Sequence, residues 1–137
     1  MWILYTTDKD GKEITLYASQ SELKNIYEAI LRLKNDPKLN EVRFKADPDP
    51  MQSEYPNSIS PSSLIIKKEN TAICVSIKDN AMLIRSDTQY LEELSSYFGL
   101  YCATNPRAHN HLDVHWGNES IHPDCIDTVI GIQRKKE

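Results

Sequence analysis

The four histidines of the chain lie close together, within fourteen residues, and acidic side chains accompany them. The histidines are His109, His111, His115 and His122. The acidic residues of the same region, 108–133, are Asp113, Glu119, Asp124 and Asp127, and the region contains no lysine or arginine. Imidazoles beside carboxylates can bind a metal, transfer protons near neutral pH or contact a basic partner.

A metal site is the first alternative. The candidate ligands are His109, His111, Asp113, His115 and His122. The segment from His109 to Asp113 resembles part of the HxHxDH zinc motif of metallo-β-lactamase-fold hydrolases, but that motif has a histidine where this chain has Val114. Successive side chains on one face of a strand are about 6–7 Å apart at Cα, so three of them reach one zinc only with curvature or a loop ligand such as His122. We therefore expect no bound metal or other cofactor.

Catalysis is the second alternative, because a His–Asp pair can act as general base and orienting group. His122 and Cys125 flank a turn that contains Pro123, which allows an imidazole and a thiol to meet. The chain has no glycine-rich phosphate loop and no GxSxG element, and the sequence does not reveal a third, orienting group. We expect a non-enzymatic protein, with a hydrolase that uses the residues from His109 to His122 as the alternative.

The composition indicates one domain, over residues 1–137, with a hydrophobic core. The chain is 39% hydrophobic and has a net charge of −4, which argues against a general nucleic-acid binder but suits a basic protein partner. Its three cysteines include no CxxC, and it begins without an apolar signal segment. No apolar run approaches the roughly 20 residues that span a bilayer. We expect a cytoplasmic protein with reduced cysteines that contacts neither membrane nor nucleic acid.

The predicted elements form the same series twice, ββαββ followed by ββαββ. The predicted strands are 2–7, 13–18, 41–45, 63–68, 71–77, 81–85, 110–116 and 128–133. The first helix begins at a capping box of Ser19 and Glu22, and the second helix has Leu91, Leu94 and Phe98 on one stripe. We expect an α+β fold, a largely antiparallel sheet with two helices on one face, and an internal duplication with pseudo-repeats 1–69 and 70–133.

The predicted strand 110–116 determines where the histidines point, because side chains alternate across a strand. The expected inward set is Leu112, Val114 and Trp116, and the expected outward set is His111, Asp113 and His115. The matching strand of the first half has Val42 and Phe44 inward, with charged residues outward at 41, 43 and 45. The histidine region is therefore predicted to be the exposed polar face of a repeated strand.

The connections after the two matching strands are both acidic. The first one, 46–62, contains no basic residue and has a formal charge of −3, and region 108–133 has −4, so the rest of the chain carries +3. Concentrated negative charge accelerates association with a basic partner. The candidate partner-binding residues are Asp47, Asp49, Glu54, Tyr55, His111, Asp113, His115, Glu119 and Asp124.

Short motifs of the second half carry a resemblance to a known group of proteins. They are the run from His111 to Asp113, the glycine turn at 116–117, Pro123 and the closing strand 128–132, and the Ser-capped helix of the first half fits as well. In these motifs the chain is similar to the small α+β immunity proteins of bacterial polymorphic-toxin systems. The resemblance implies a non-enzymatic bacterial protein that binds and neutralises a cognate toxin, often a basic nuclease. A structural or homodimeric module, paired through strand edges at 3–5 or 129–132, is the remaining alternative.

Overall fold

The computed structural model describes residues 1–8, 11–50, 57–114 and 118–133. In that part of the chain the strands are β1 (Trp2–Asp8), β2 (Gly11–Ala18), β3 (Glu41–Lys45), β4 (Ser58–Ile59), β5 (Ser63–Lys68), β6 (Cys74–Lys78), β7 (Ala81–Ser86), β8 (His109–Leu112) and β9 (Asp127–Ile132). The helices are α1 (Gln20–Asn35) and α2 (Leu91–Ser96). The predicted α+β class is confirmed. Among the described residues, neither helix combines the length and the apolar character needed to cross a bilayer.

The strands divide between two sheets, where the sequence had suggested one. Sheet A has the order β4-β1-β2-β9-β8, and sheet B has the order β3-β5-β7-β6. Each sheet is antiparallel except at its centre, where β2 runs parallel to β9 and β5 runs parallel to β7. Alternation along one strand shows which side chains are inward but not which strands are neighbours, so the sequence pattern could not separate the sheets.

The two halves of the chain contribute to the sheets in a crossed manner. In sheet A the first-half hairpin β1–β2 adjoins the second-half pair β8–β9, and in sheet B the second-half hairpin β6–β7 adjoins the first-half pair β3–β5. Leu16 lies opposite Ile130 in sheet A, and Ile84 lies opposite Ile66 in sheet B. The counterparts in the two halves are β1 and β6, β2 and β7, β9 and β5, and β8 and β3. Exchanging them converts the order β1-β2-β9-β8 into β6-β7-β5-β3, which is the order of sheet B. The two halves therefore occupy equivalent positions, and each completes a sheet only with the other.

Both sheets and the helices enclose one hydrophobic core. The sheets contribute fully buried aliphatic side chains, among them Ile3, Ile14, Leu16, Ile130, Leu64, Ile66, Met82 and Ile84. Helix α1 adds Leu23, Ile26, Ile30 and Leu33, which lie at helical spacing on its buried face. Its first turn has the predicted capping box, because Ser19 accepts the amide of Glu22 and the Glu22 carboxylate accepts the amide of Ser19. Because the inner faces are used for packing, the protein surface consists of the outer sheet faces, the solvent side of the helices and the connections.

Strand β8 is shorter than predicted, and its core-facing residues differ. It ends at Leu112, which is fully buried, whereas Val114 lies beyond the strand and is 43% exposed. The second inward position of β8 is Asn110, whose side-chain amide donates to the carbonyl oxygen of Tyr97 at 2.8 Å. The expectation that Val114 packs in the core is wrong, because the chain leaves β9 after Leu112 and continues towards β6. Trp116 and His115 lie outside the described residues.

The two segments considered as dimerisation edges already have neighbours. Strand β9 lies between β2 and β8, so 129–132 is not an edge. Strand β1 pairs with β2 on one side and with β4 and Asp47 on the other, and Ser60 Oγ donates to the carbonyl oxygen of Ile3. These segments therefore offer little free backbone to a second copy.

Gly131 provides a test of packing on sheet A. A Cβ atom at this position would lie 2.6 Å from Cε1 of Tyr17, so Gly131→Ala must displace that ring. We expect a loss of about 1–3 kcal/mol in the free energy of unfolding, measured by urea denaturation. Gly99→Ala is the matched control, because a Cβ there meets nothing within 4 Å. Equal effects of the two substitutions would contradict the packing described.

Candidate functional site

The predicted histidine strand belongs to the outer face of sheet A. We call face A the eleven outward residues of β1, β2, β9 and β8, which register places in three cross-strand rows. The first row is Trp2, Tyr17, Gly131 and His109; the second is Leu4, Thr15, Val129 and His111; the third is Thr6, Glu13 and Asp127. None of these eleven residues is a lysine or an arginine.

The equivalent outer face of sheet B, which we call face B, has the opposite character. Its rows are Glu41, Lys67, Arg85 and Cys74; Arg43, Ile65, Leu83 and Ser76; and Lys45, Ser63, Ala81 and Lys78. A groove of about 310 Å³ on this face is lined by side chains of both signs. Arg43 Nε lies 2.6 Å from a Glu41 carboxylate oxygen, and Arg85 and Lys67 lie 3.3 and 3.5 Å from Glu69. Glu41 and Glu69 are thus neutralised by bases on and beside face B.

Acidic residues of face A lack that neutralisation. Glu13 lies directly opposite Asp127 across the parallel pair β2–β9, and both side chains are exposed. Asp124, in the turn before β9, has an 87% exposed side chain. No lysine or arginine among the described residues forms an ion pair with these three, which we call the acidic row. Like charges directly opposite one another destabilise a sheet, so the fold gains nothing from this pair.

A shallow hollow of about 430 Å³ adjoins the acidic row. Asp124 and Asp127 line it together with Val114, Pro123 and a single base, Lys12. Apolar groups surrounded by charged ones are the usual composition of a protein-binding surface. Exposure of Val114, unexpected from the sequence, thus occurs beside the acidic row.

The histidines do not converge on one point. His109 and His111 contact each other edge to face, with ring centroids 4.9 Å apart, and His109 Nδ1 donates to the carbonyl oxygen of Arg107. His122 lies in a different neighbourhood, beside Ile73 of the β6 segment. In the described ranges no group of three His, Cys, Asp or Glu is arranged to hold a metal ion, and the candidate His115 lies outside those ranges.

His122 is engaged in its own turn. Its Nδ1 atom accepts the backbone amide of Asp124 at 3.0 Å and lies 3.9 Å from the Asp124 carboxylate. These contacts give His122 a structural role within the turn.

Cys125 also makes structural contacts. Its thiol is buried, accepts the amide of Val75 at 3.2 Å and contacts the carbonyl oxygen of Ile126 at 3.6 Å. Burial raises the pKa of Cys125 to about 12, which outweighs the opposing effect of the Val75 hydrogen bond. The thiolate that a Cys–His nucleophile needs is thus disfavoured, and these contacts give Cys125 a structural role.

The predicted partner-binding residues are dispersed. Asp113 follows β8 and is half-buried, Glu119 is exposed in the next turn, and Asp47 is exposed beside Trp2. Asp49 is only 4% exposed, because its amide donates to Ser60 Oγ and the loop is thereby held on β1. Its side chain is therefore largely inaccessible to a partner in this structure. Glu54, Tyr55 and His115 lie outside the described residues.

The two acidic connections also border different strands. The first connection runs alongside β1 of sheet A. The second runs alongside β6 of sheet B, which it contacts through Ile121 and Ile126. Sequence analysis missed Glu13, because only the pairing of β2 with β9 brings it beside Asp127. Alternation within β2 was the available signal, since it assigns Glu13 to the outward side with Thr15 and Tyr17.

Burial of Cys125 predicts a pH dependence of stability. An acid whose pKa rises on folding, from an ordinary value near 9 to about 12, stabilises the protein below pH 9 and loses that contribution as pH rises towards 12. We expect the free energy of unfolding to fall by about 1.4 kcal/mol per pH unit in this window from this residue alone. Urea denaturation at pH 8 and pH 10.5, compared with Cys125→Ser, isolates the contribution. The same slope in both proteins would contradict it.

Comparison of the chain with protein-family models, with curated proteins and with solved structures finds no match. The chemistry of the site is therefore inferred from its own residues. Those residues are an acidic row without a described basic partner, an apolar hollow beside it, and dispersed histidines.

Proposed function

We propose that the protein is a non-enzymatic binding protein that engages a basic partner through face A. The observation that carries this proposal is the exposed pair Glu13 and Asp127, two carboxylates opposite one another with no described lysine or arginine paired to either. A cation from a partner removes the repulsion between them on binding. The repulsion that destabilises the folded protein is thus relieved when the partner binds, and this relief favours association.

The resemblance noted in the sequence supplies the class of partner. We propose an immunity protein of a bacterial polymorphic-toxin system, acting in the cytoplasm, whose partner is a cognate toxin with a basic surface, such as a nuclease. Asp113, Glu119 and Asp124 add negative charge around the second connection, and Val114 offers an apolar contact beside it. Such a field accelerates the encounter and weakens with salt.

Neutralisation of the acidic row tests this proposal through two effects of opposite sign. In Glu13→Gln/Asp127→Asn, loss of repulsion should raise the free energy of unfolding by up to about 1 kcal/mol. Binding to the protein encoded by the adjacent gene, measured by calorimetry at low and high salt, should weaken at least about tenfold and depend less on salt.

Glu28→Gln/Asp79→Asn is the matched control, because it removes the same formal charge from exposed residues outside face A. Asn tolerates the positive φ of Asp79, which is 51°. The control should bind as the unaltered protein does. No binding to a toxin-like neighbour, or equal weakening in both double variants, would contradict the proposal.

A further inference from the structure

The first row of face A contains an aromatic pair at its β1–β2 end. Trp2 and Tyr17 lie opposite one another on β1 and β2, with ring centroids 4.6 Å apart and planes inclined by 34°. Both residues are half-buried, so part of the pair remains accessible to solvent. Gly131 adds no side chain beside them, and the Tyr17 ring leans into the space that this glycine leaves.

The aromatic pair and the acidic row belong to the same continuous face. Between them lies the second row, with nearly buried Leu4 and half-buried Thr15 and Val129. Tyr17 and Glu13 are four residues apart on β2, which corresponds to about 13 Å. Face A thus offers aromatic rings at one end and paired carboxylates at the other end.

Face B shows what other side chains stand at the equivalent positions. The counterpart of the pair Trp2 and Tyr17 is Cys74 and Arg85, and the counterpart of Glu13 and Asp127 is Ala81 and Ser63. At the position of Tyr17, face B therefore has a guanidinium group of its own. At this position face A has an aromatic ring and face B has a planar cation. Face A therefore has a surface on which a guanidinium group can stack but no guanidinium group of its own.

An accessible aromatic pair and exposed carboxylates at opposite ends of one face select a particular chemistry. Phosphate groups are repelled, because face A has acidic residues and no lysine or arginine. A guanidinium group satisfies both features, since it stacks on aromatic rings and binds carboxylates with a planar fork of donors. An ammonium group is more strongly hydrated and gains less from stacking.

We propose that face A recognises arginine side chains, with one guanidinium on the Trp2–Tyr17 pair and a second basic group at Glu13 and Asp127. This inference rests on the proposed function and specifies the partner's chemistry: a surface with arginine at one end of a span of about 13 Å and a second cation at the other. The acidic row supplies attraction for any cation, and the aromatic pair supplies the preference for arginine.

Octa-arginine and octa-lysine peptides test the preference, because they have equal charge. With the unaltered protein, calorimetry should give about fivefold tighter binding of octa-arginine. Tyr17→Leu should reduce that ratio to near one without changing the octa-lysine affinity, whereas Tyr17→Phe should keep it. Amide chemical shifts should respond in β1, β2 and β9 and not in face B.

The outcomes separate the two proposals. If both peptides bind equally well and Tyr17→Leu changes neither affinity, the arginine preference is overturned and the acidic binding surface stands. If neither peptide binds, or Glu13→Gln/Asp127→Asn leaves both affinities unchanged, the basic-partner function is overturned with it. A Tyr17→Leu variant that fails to fold is replaced by Trp2→Leu, with Trp2→Phe as the variant that keeps a ring.

Discussion

The parallel pairing between the halves of the chain is the constraint on which the structure depends. Strand β2 meets β9 in sheet A, and β5 meets β7 in sheet B, each through six paired residues. These central pairs bring Leu16 against Ile130 and Ile66 against Ile84, so the core is built from both halves at every level. The candidate site depends on the same pairing, since Glu13 and Asp127 become neighbours only when β2 and β9 associate.

Local features of the fold could be predicted from the sequence, because they depend on residues close together in the chain. The capping box of Ser19, the stripe of α1 and the alternation of β2 and β7 all follow from short-range rules. Long-range pairing left no comparable signal, so the division into two sheets was not predicted. The end of β8 was misjudged for the same reason: Val114 continues the alternation in sequence, but the chain turns away from β9 before it.

In the candidate site too, features that depend on neighbouring residues could be predicted, whereas features that depend on distant residues could not. Sequence analysis identified the acidic histidine region as a surface, and Asp124 is part of the acidic row. It also selected Asp49, whose burial depends on a hydrogen bond to Ser60, eleven residues away. The pair of Glu13 and Asp127 and the aromatic pair were not found, because each is formed by two strands. Equivalent backbone positions in faces A and B nevertheless carry very different chemistry, so the repeated topology constrains shape and leaves charge free to vary.

The crossed arrangement of strands has a consequence for how the chain is made. All four strands of sheet B lie between residues 41 and 86, whereas sheet A joins 2–18 to 109–132. During synthesis, sheet B can therefore close while residues 109–132 are still to be translated. Until β9 has been made, the edge of β2 that later pairs with β9 has no hydrogen-bonding partner for its backbone. Unpaired strand edges favour aggregation, so this edge of β2 is exposed to that risk until β9 is made.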